Sequence, residues 1–250
     1  VSVVSFKTPD EGKSFFLLNV MYGAMLAKKN VLYLTCELYE KSVLKRLYSR
    51  ISYSTRKDML DEEYVVKSAS KFFALTKSKG RILYVPSKSM TVEGVESLLD
   101  SQRMYFDFVP DIIIVDYLDL LAPRAADMRL EIRHRLRGIT DDLRSLSIRR
   151  NVPVLTATQG NRESLAKSKI TEANVSEAFG KIEVSDVVLA LCQTDEEKKM
   201  KRARLLILKN RDYISGACIE VYVDFEKMLL MDLDLANKMG ILEEANVAFK

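Results

Sequence analysis

Hydrophobic and polar positions along this chain switch between a period near two and a period near 3.6, and each switch marks an element. Val1–Phe6 reads as a short buried strand, and "SFFLLNVMYGAMLAKK" then places apolar residues at helical spacing. "NVLYLTCEL" is a β-rich run, followed by the helical segments "EKSVLKRLYSRIS" and "EEYVVKSASKFFALTKS". "RILYVP" predicts a strand. "TVEGVESLLDSQRMYF" predicts a helix with Thr91 as N-cap, because a hydroxyl just ahead of the run can accept from first-turn N–H groups. In "PDIIIVDYLDLL" a β-branched run follows Pro110, as in a central parallel strand covered on both faces. "MRLEIRHRLRGITDDLRSLSIRR" predicts one long helix and "VPVLTATQ" a buried strand. "SDVVLALCQ", "RARLLILKNR", "GACIEVYVDF" and "KMLLMDL" follow as strands, the later ones close enough for hairpins. Alternating β and α, then consecutive strands, predict an α/β fold with a mainly parallel sheet, flanking helices and an antiparallel C-terminal edge. One domain is expected over 1–233, with a detachable helical tail over Asp234–Lys250.

Composition narrows the picture. A chain of 250 residues, 48% hydrophobic and 30% charged, can bury the core of one large globular domain. No apolar run approaches the roughly 18–20 residues of a membrane span, and the first residues lack a signal-peptide pattern. Cys36, Cys192, Cys218 and the single histidine lie far apart, with neither zinc spacing nor a disulfide framework, which points to a reducing cytosol. A net charge of +4 is too small to identify a nucleic-acid partner by itself. The chain opens at Val1 directly into a strand, so a piece of a longer protein is expected.

The candidate chemistry begins at "FKTPDEGKSFF", Phe6 to Phe16. Gly12-Lys13-Ser14 is the second half of the phosphate-binding pattern G-x-x-x-x-G-K-[ST], with Lys7 where the first glycine would stand. Its place between an apolar strand and an amphipathic helix aims backbone N–H groups and a helix N-terminus at an anion. Lys13 would reach the β- and γ-phosphates, Ser14 would ligate Mg²⁺, and Gly12 would let the backbone approach closely. Pro9, Asp10, Glu11 and Phe15 complete the expected binding segment, with the two carboxylates required to point away from the phosphates. The plainer alternative is a strand–turn–helix with a solvated lysine. Asp116, ending "DIIIVD", is the second acidic anchor, a Walker B aspartate that would hold Mg²⁺ beyond the carboxyl ends of the strands. An aspartate that merely caps its strand is the other reading.

Taken in order, these segments resemble the RecA-type motor domain of DnaB-like hexameric replicative helicases, of phage type. "KTPDEGKS" is similar to a family P-loop that also lacks the first glycine and carries proline where Pro9 stands. "VLYLTCELYEKSVLKRL", "DIIIVDYLDLL", "VPVLTATQGNRE" and "EVSDVVLAL" with "LLILKNRDYISG" match the family's successive motifs. The resemblance implies that Glu37 polarises the attacking water and that Gln159 senses the γ-phosphate. It also implies that Lys209 and Arg211 act in trans on a neighbouring subunit's ATP. For each, an exposed polar residue at an element end is the alternative. The cofactors implied are ATP and Mg²⁺; the partners implied are single-stranded DNA and further copies in a hexameric ring. Primase and a loader would bind through an N-terminal domain and linker absent from this chain.

Two segments qualify by position for DNA. The first carries Arg124, Arg129, Arg133, Arg135 and Arg137, with Arg129, Arg133 and Arg137 expected on one helix face; pairing with Asp127 and Glu131 is the competing reading. The second carries Arg162, Glu177, Gly180 and Lys181, with Phe179 as its one aromatic, so backbone tracking without sequence readout is expected. The function expected is an ATP-dependent helicase motor working in the cytoplasm, the host's if phage-encoded. A RecA/RadA-type recombinase and a KaiC-like signalling ATPase without DNA are the alternatives.

Overall fold

The computed structural model describes residues 2–6, 12–55, 58, 62–159 and 183–241. In chain order these form β1 (Ser2–Phe6), α1 (Gly12–Leu26), β2 (Val31–Thr35), α2 (Glu40–Ser52), α3 (Glu62–Thr76), β3 (Gly80–Tyr84), α4 (Val92–Phe106) and β4 (Ile112–Asp116). Then follow α5 (Ile132–Arg150), β5 (Val154–Gln159), β6 (Val187–Cys192), α6 (Asp195–Lys199), β7 (Arg202–Asn210), β8 (Cys218–Asp224), β9 (Leu229–Asp232) and α7 (Leu233–Lys238). The strands make one sheet in the order β3-β2-β4-β5-β1-β6-β7-β8-β9. From β3 to β6 every pairing is parallel; β7, β8 and β9 add antiparallel strands at one edge.

The period of two divides each central strand between two cores. Val31 and Tyr33 of β2 and Ile114 of β4 face a cluster with Phe15, Leu17 and Met21 of α1 and Leu47 of α2. Leu32 and Leu34, with Ile113 and Val115, face Val95 and Leu99 of α4 and Ile139, Leu143 and Leu146 of α5. Both faces are covered, which is why β2 and β4 are apolar at every position but the last. Burying each such side chain contributes about 1.5–3 kcal/mol. Inside the first cluster, Asn19 of α1 joins three elements. Its Nδ2 donates to Phe15 O at 2.9 Å, while its Oδ1 accepts from Arg50 Nε at 2.9 Å and Leu230 N at 3.1 Å. The phosphate-loop helix is thereby tied to α2 and to β9.

Local signals explain most ends. Thr91 caps α4 as expected, its hydroxyl accepting from Gly94 N at 3.3 Å, a contact worth about 1 kcal/mol. Three expectations need correction. The strand through "DIIIVDYLDLL" stops at Asp116, and Leu118–Leu120 form a 3₁₀ turn instead. The long helix starts at Ile132 rather than Met128. Upstream of it, the Asp127 amide donates to Arg124 O at 2.9 Å, closing a 3₁₀ turn over Ala125–Asp127, while the Asp127 carboxylate takes Arg124 Nε at 3.3 Å and its carbonyl accepts the Leu130 amide at 3.0 Å. A short helix, α6, also interrupts what reads as strand after strand. It is too brief to show a period, but its capping box is complete: Thr194 Oγ1 accepts from Glu197 N at 3.1 Å and Glu197 Oε2 from Thr194 N at 2.7 Å. Of the helix expected over Asp234–Lys250, α7 packs Ala236 against Tyr222, Leu229 and Met231, and residues 242–250 lie outside the described residues.

Candidate nucleotide site

The topology gathers the acidic and basic candidates at one edge. Thr35 ends β2 opposite Asp116 at the end of β4, and Gln159 ends β5 opposite Phe6 at the end of β1. At this carboxyl edge α1 begins, so the N–H groups of its first turn and the positive end of its dipole face the space beyond the strands. Gly12 and Lys13 are buried there and Ser14 is half-buried. Lys13 is only 5% exposed, and its Nζ stands 4.4 Å from the centre of the Tyr117 ring. This is not the solvated lysine of the plainer alternative.

Asp116 is fully buried. Tyr33 donates its hydroxyl to Asp116 Oδ2 at 2.7 Å, while Oδ1 has no hydrogen-bond partner among the described residues. Burial raises this carboxyl above its ordinary pKa; the hydroxyls of Ser14 and Tyr33 and the Lys13 charge pull it back, and the Glu37 charge raises it further. A buried carboxylate with one orphaned oxygen, beside a serine hydroxyl, fits a hard divalent cation, which supplies the missing partner and offsets the desolvated charge. The donor set therefore suits Mg²⁺, with Ser14 and Asp116 as the residues that would hold it.

Glu37 lies in the bend that follows β2 and is exposed. The bend is set by Thr35, whose Oγ1 donates to Leu38 O at 2.6 Å and accepts from Leu38 N at 3.2 Å. Cys36 N bonds Asp116 O at 2.7 Å, fixing the bend beside the buried aspartate. Burial, Glu37 and Asp119 together push the Tyr117 phenol up to about 12, so its ring stays neutral next to Lys13. On the far side, Thr158 donates to Asp119 Oδ2 at 2.9 Å, linking the end of β5 to the turn after β4. Lys88 braces the same turn through the carbonyls of Asp119 and Leu121.

Lys209 and Arg211 are elsewhere. The register sets Asn210 level with Val187 and Ser2, at the amino ends of the parallel strands. Ser2 to Phe6 spans four rises of ~3.3 Å, so the two cations sit on the opposite edge from Lys13. Lys209 Nζ donates to Glu183 O at 2.8 Å, and Arg211 Nη1 pairs with Asp186 Oδ1 at 2.6 Å. Arg144 Nε approaches the same carboxylate at 3.3 Å. Lys209 lies in β7 and Arg211 just past its end, and both reach the residues leading into β6.

Among the DNA candidates, Arg124 Nε is paired with Asp142 at 3.0 Å as well as with Asp127. Arg133 pairs with Glu131 at 2.8 Å and Arg137 with Glu183 at 3.2 Å. Arg129 is exposed, but it precedes α5 and does not share a helix face with Arg133 and Arg137, a correction that follows from the later helix start. Pro9, Asp10, Glu11, Arg162, Glu177, Gly180 and Lys181 lie outside the described residues. Tyr33, Tyr117, Thr158, Asp119 and Asp186 are neighbours that no local pattern marks, because each contact joins segments far apart in sequence. Among the described residues no helix is long and apolar enough to cross a membrane.

Comparison with known proteins converges on one family. The pattern of the DnaB-like helicase C terminal domain matches residues 4–230. A DnaB-like replicative helicase of Enterobacteria phage T4 is 24% identical over 207 residues, covering 80% of this chain and 43% of that relative. This chain thus spans less than half the length of that relative. Among solved structures, one ATPase domain is similar with a TM-score of 0.77 at 17% identity, covering 93% of this chain and 84% of that one. A DnaB-like replicative helicase, solved with its interactions with primase, gives a TM-score of 0.77 at 17% identity over 93% of this chain and 58% of the other. At such identity the structural likeness shows the fold, a RecA-like sheet with its antiparallel extension.

Proposed function

The chain belongs to the family of DnaB-like helicase C-terminal domains, and on that premise we propose that it is an ATP-driven motor that moves along single-stranded DNA and unwinds duplex DNA during replication. The observation that carries this reading is the division of one catalytic set between two edges. Lys13, Ser14, Glu37 and Asp116 gather at the carboxyl edge, while Lys209 and Arg211 sit at the amino edge of the same sheet. Cations so placed cannot serve their own chain's site, and a ring in which one copy's amino edge meets the next copy's carboxyl edge delivers them.

In that arrangement the α1 first turn and Lys13 hold the β- and γ-phosphates, and Ser14 and Asp116 hold the cation. A bound Mg²⁺ neutralises charge on the phosphate oxygens. Glu37, exposed on its bend, accepts the proton of the attacking water. Gln159 reports the γ-phosphate, and Thr158–Asp119 gives that report a mechanical path into the turn after β4. Arg211, released from Asp186, stabilises the equatorial oxygens of the neighbour's transition state. DNA contacts fall to Arg124, Arg129 and the segment with Arg162, Glu177, Gly180 and Lys181. The assembly is a hexameric ring in the cytoplasm, with primase and loader engaged through further parts of the protein. The family match favours this motor over a recombinase or a signalling ATPase.

The test is ATPase rate with and without single-stranded DNA over a range of protein concentration, alongside displacement of a forked duplex. Stimulation by DNA and a steep rise with concentration are expected. A rate indifferent to both would overturn the proposal.

A further inference from the structure

We infer that Tyr33 is a positioning residue for the divalent cation, its hydroxyl occupying Asp116 Oδ2 so that Oδ1 is the carboxylate oxygen left for the metal. The inference rests on the nucleotide-site reading above and adds a residue outside the phosphate loop and the strand-end carboxylates.

The contact follows from register. Tyr33 is opposite Ile114, and Thr35 is opposite Asp116. Residues two apart on a strand share a face, so Tyr33 and Asp116 are diagonal neighbours on the face covered by α1. A diagonal of that kind is within reach of a long aromatic side chain. The phenol crosses it and closes a 2.7 Å bond on Asp116 Oδ2. Both residues are completely buried, so no water competes for that oxygen.

A carboxylate can turn about its Cβ–Cγ bond and present either oxygen, or both, to a cation. Here the choice is made before any cation arrives: Oδ2 is taken, and among the described residues Oδ1 has no partner. Buried acceptors without partners are uncommon in folded proteins. This one lies beside the phosphate-loop helix, where Lys13 and Ser14 influence the same carboxylate. Groups that orient a metal-binding carboxylate from behind typically change metal affinity by about 10- to 100-fold when removed. A phenylalanine at 33 would fill nearly the same core volume without this effect. The hydroxyl is thus an addition to packing, not a need of it.

The experiment compares the unsubstituted 250-residue chain with Tyr33→Phe, reading fluorescence of a ribose-labelled ATP analogue as Mg²⁺ is titrated, and again in EDTA. Tyr22→Phe serves as a control, since it loses a tyrosine hydroxyl from the same core cluster without touching Asp116. Tyr33→Phe should raise the Mg²⁺ midpoint about 10- to 100-fold, with Mg²⁺-free affinity within about twofold and Tyr22→Phe unshifted. A thermal melt confirms that the substituted chain is folded. A midpoint within about twofold of the original overturns the inference. So does an equal loss of affinity with and without Mg²⁺, which would make the hydroxyl a support for the loop at large. Absence of Mg²⁺-dependent binding in the unsubstituted chain is a different failure, because it removes the nucleotide-site reading itself.

Discussion

The two edges of the sheet treat their charges in opposite ways. At the carboxyl edge Lys13 and Asp116 are buried, held by Tyr117 and Tyr33, and one Asp116 oxygen has no hydrogen-bond partner among the described residues. At the amino edge Arg211 and Lys209 are engaged by Asp186 and by Glu183 O within the same chain. On the proposed reading, the first edge is the part of the site that binds the phosphates and the cation. At the second, the cations have partners within the chain, which they would have to leave to act on a neighbouring copy as proposed.

The sharpest way to break this contrast is Lys13→Ala, which removes the cation from the buried edge. Turnover should fall below detection and Mg²⁺-nucleotide binding should weaken, read by phosphate release and by titration. Arg211→Ala acts on the other edge and should separate the two functions. Nucleotide binding stays intact while turnover drops at least about 10²-fold, a conservative figure for a finger arginine. Binding lost along with turnover would place Arg211 in its own chain's site.

Asp116→Asn gives a smaller effect of opposite sign on stability. Mg²⁺-dependent binding is lost, yet the nucleotide-free chain should melt higher, by on the order of 1 kcal/mol, because a buried charge with an orphaned oxygen becomes a neutral amide. For a chain this size that corresponds to about 2–4 °C in a thermal melt. A lower melting point would mean that Asp116 serves the fold more than the cation.

The smallest effect concerns the antiparallel extension that carries Lys209 and Arg211. Burial alone would raise the Asp224 carboxyl, but Lys201 at 2.7 Å and the amides of Glu226 and Lys227 outweigh it and hold the pKa below 3.8. Its folded pKa lies beneath the unfolded one. The stability it contributes is therefore full above the ordinary carboxylate range and lost as pH falls through the folded value. Asp224→Asn should flatten the acid limb of urea-unfolding free energy below about pH 4, with little change in shape above it.

What could be read in the sequence follows from range. The apolar run of β4 with its terminal Asp116, the Gly12-Lys13-Ser14 turn and the Thr91 cap are local, and pattern located all three. The capping box of α6 was local too, Thr194 with Glu197, but its helix is a single turn without a period. Upstream of α5 the chain is held in turns, with Asp127 N on Arg124 O and Leu130 N on Asp127 O, which helical spacing does not reveal, so the pattern extended the helix too far upstream. Tyr33 reads only as a core residue until the register sets it diagonal to Asp116. The opposition of the two edges is likewise a property of sheet order: β1 lies between β5 and β6, and the antiparallel turn into β7 returns Lys209 and Arg211 to the amino end. No local pattern contains that reversal.

The central claim is that one active site is built from two copies of this chain. Its most direct measurement mixes Lys13→Ala and Arg211→Ala chains, each inactive alone and each shown to assemble, and follows ATPase rate against mixing ratio. Activity should return in the mixture and peak near equal amounts, since an intact phosphate site then meets an intact arginine. A mixture that stays as inactive as its components, while mixed assemblies form, would contradict the claim.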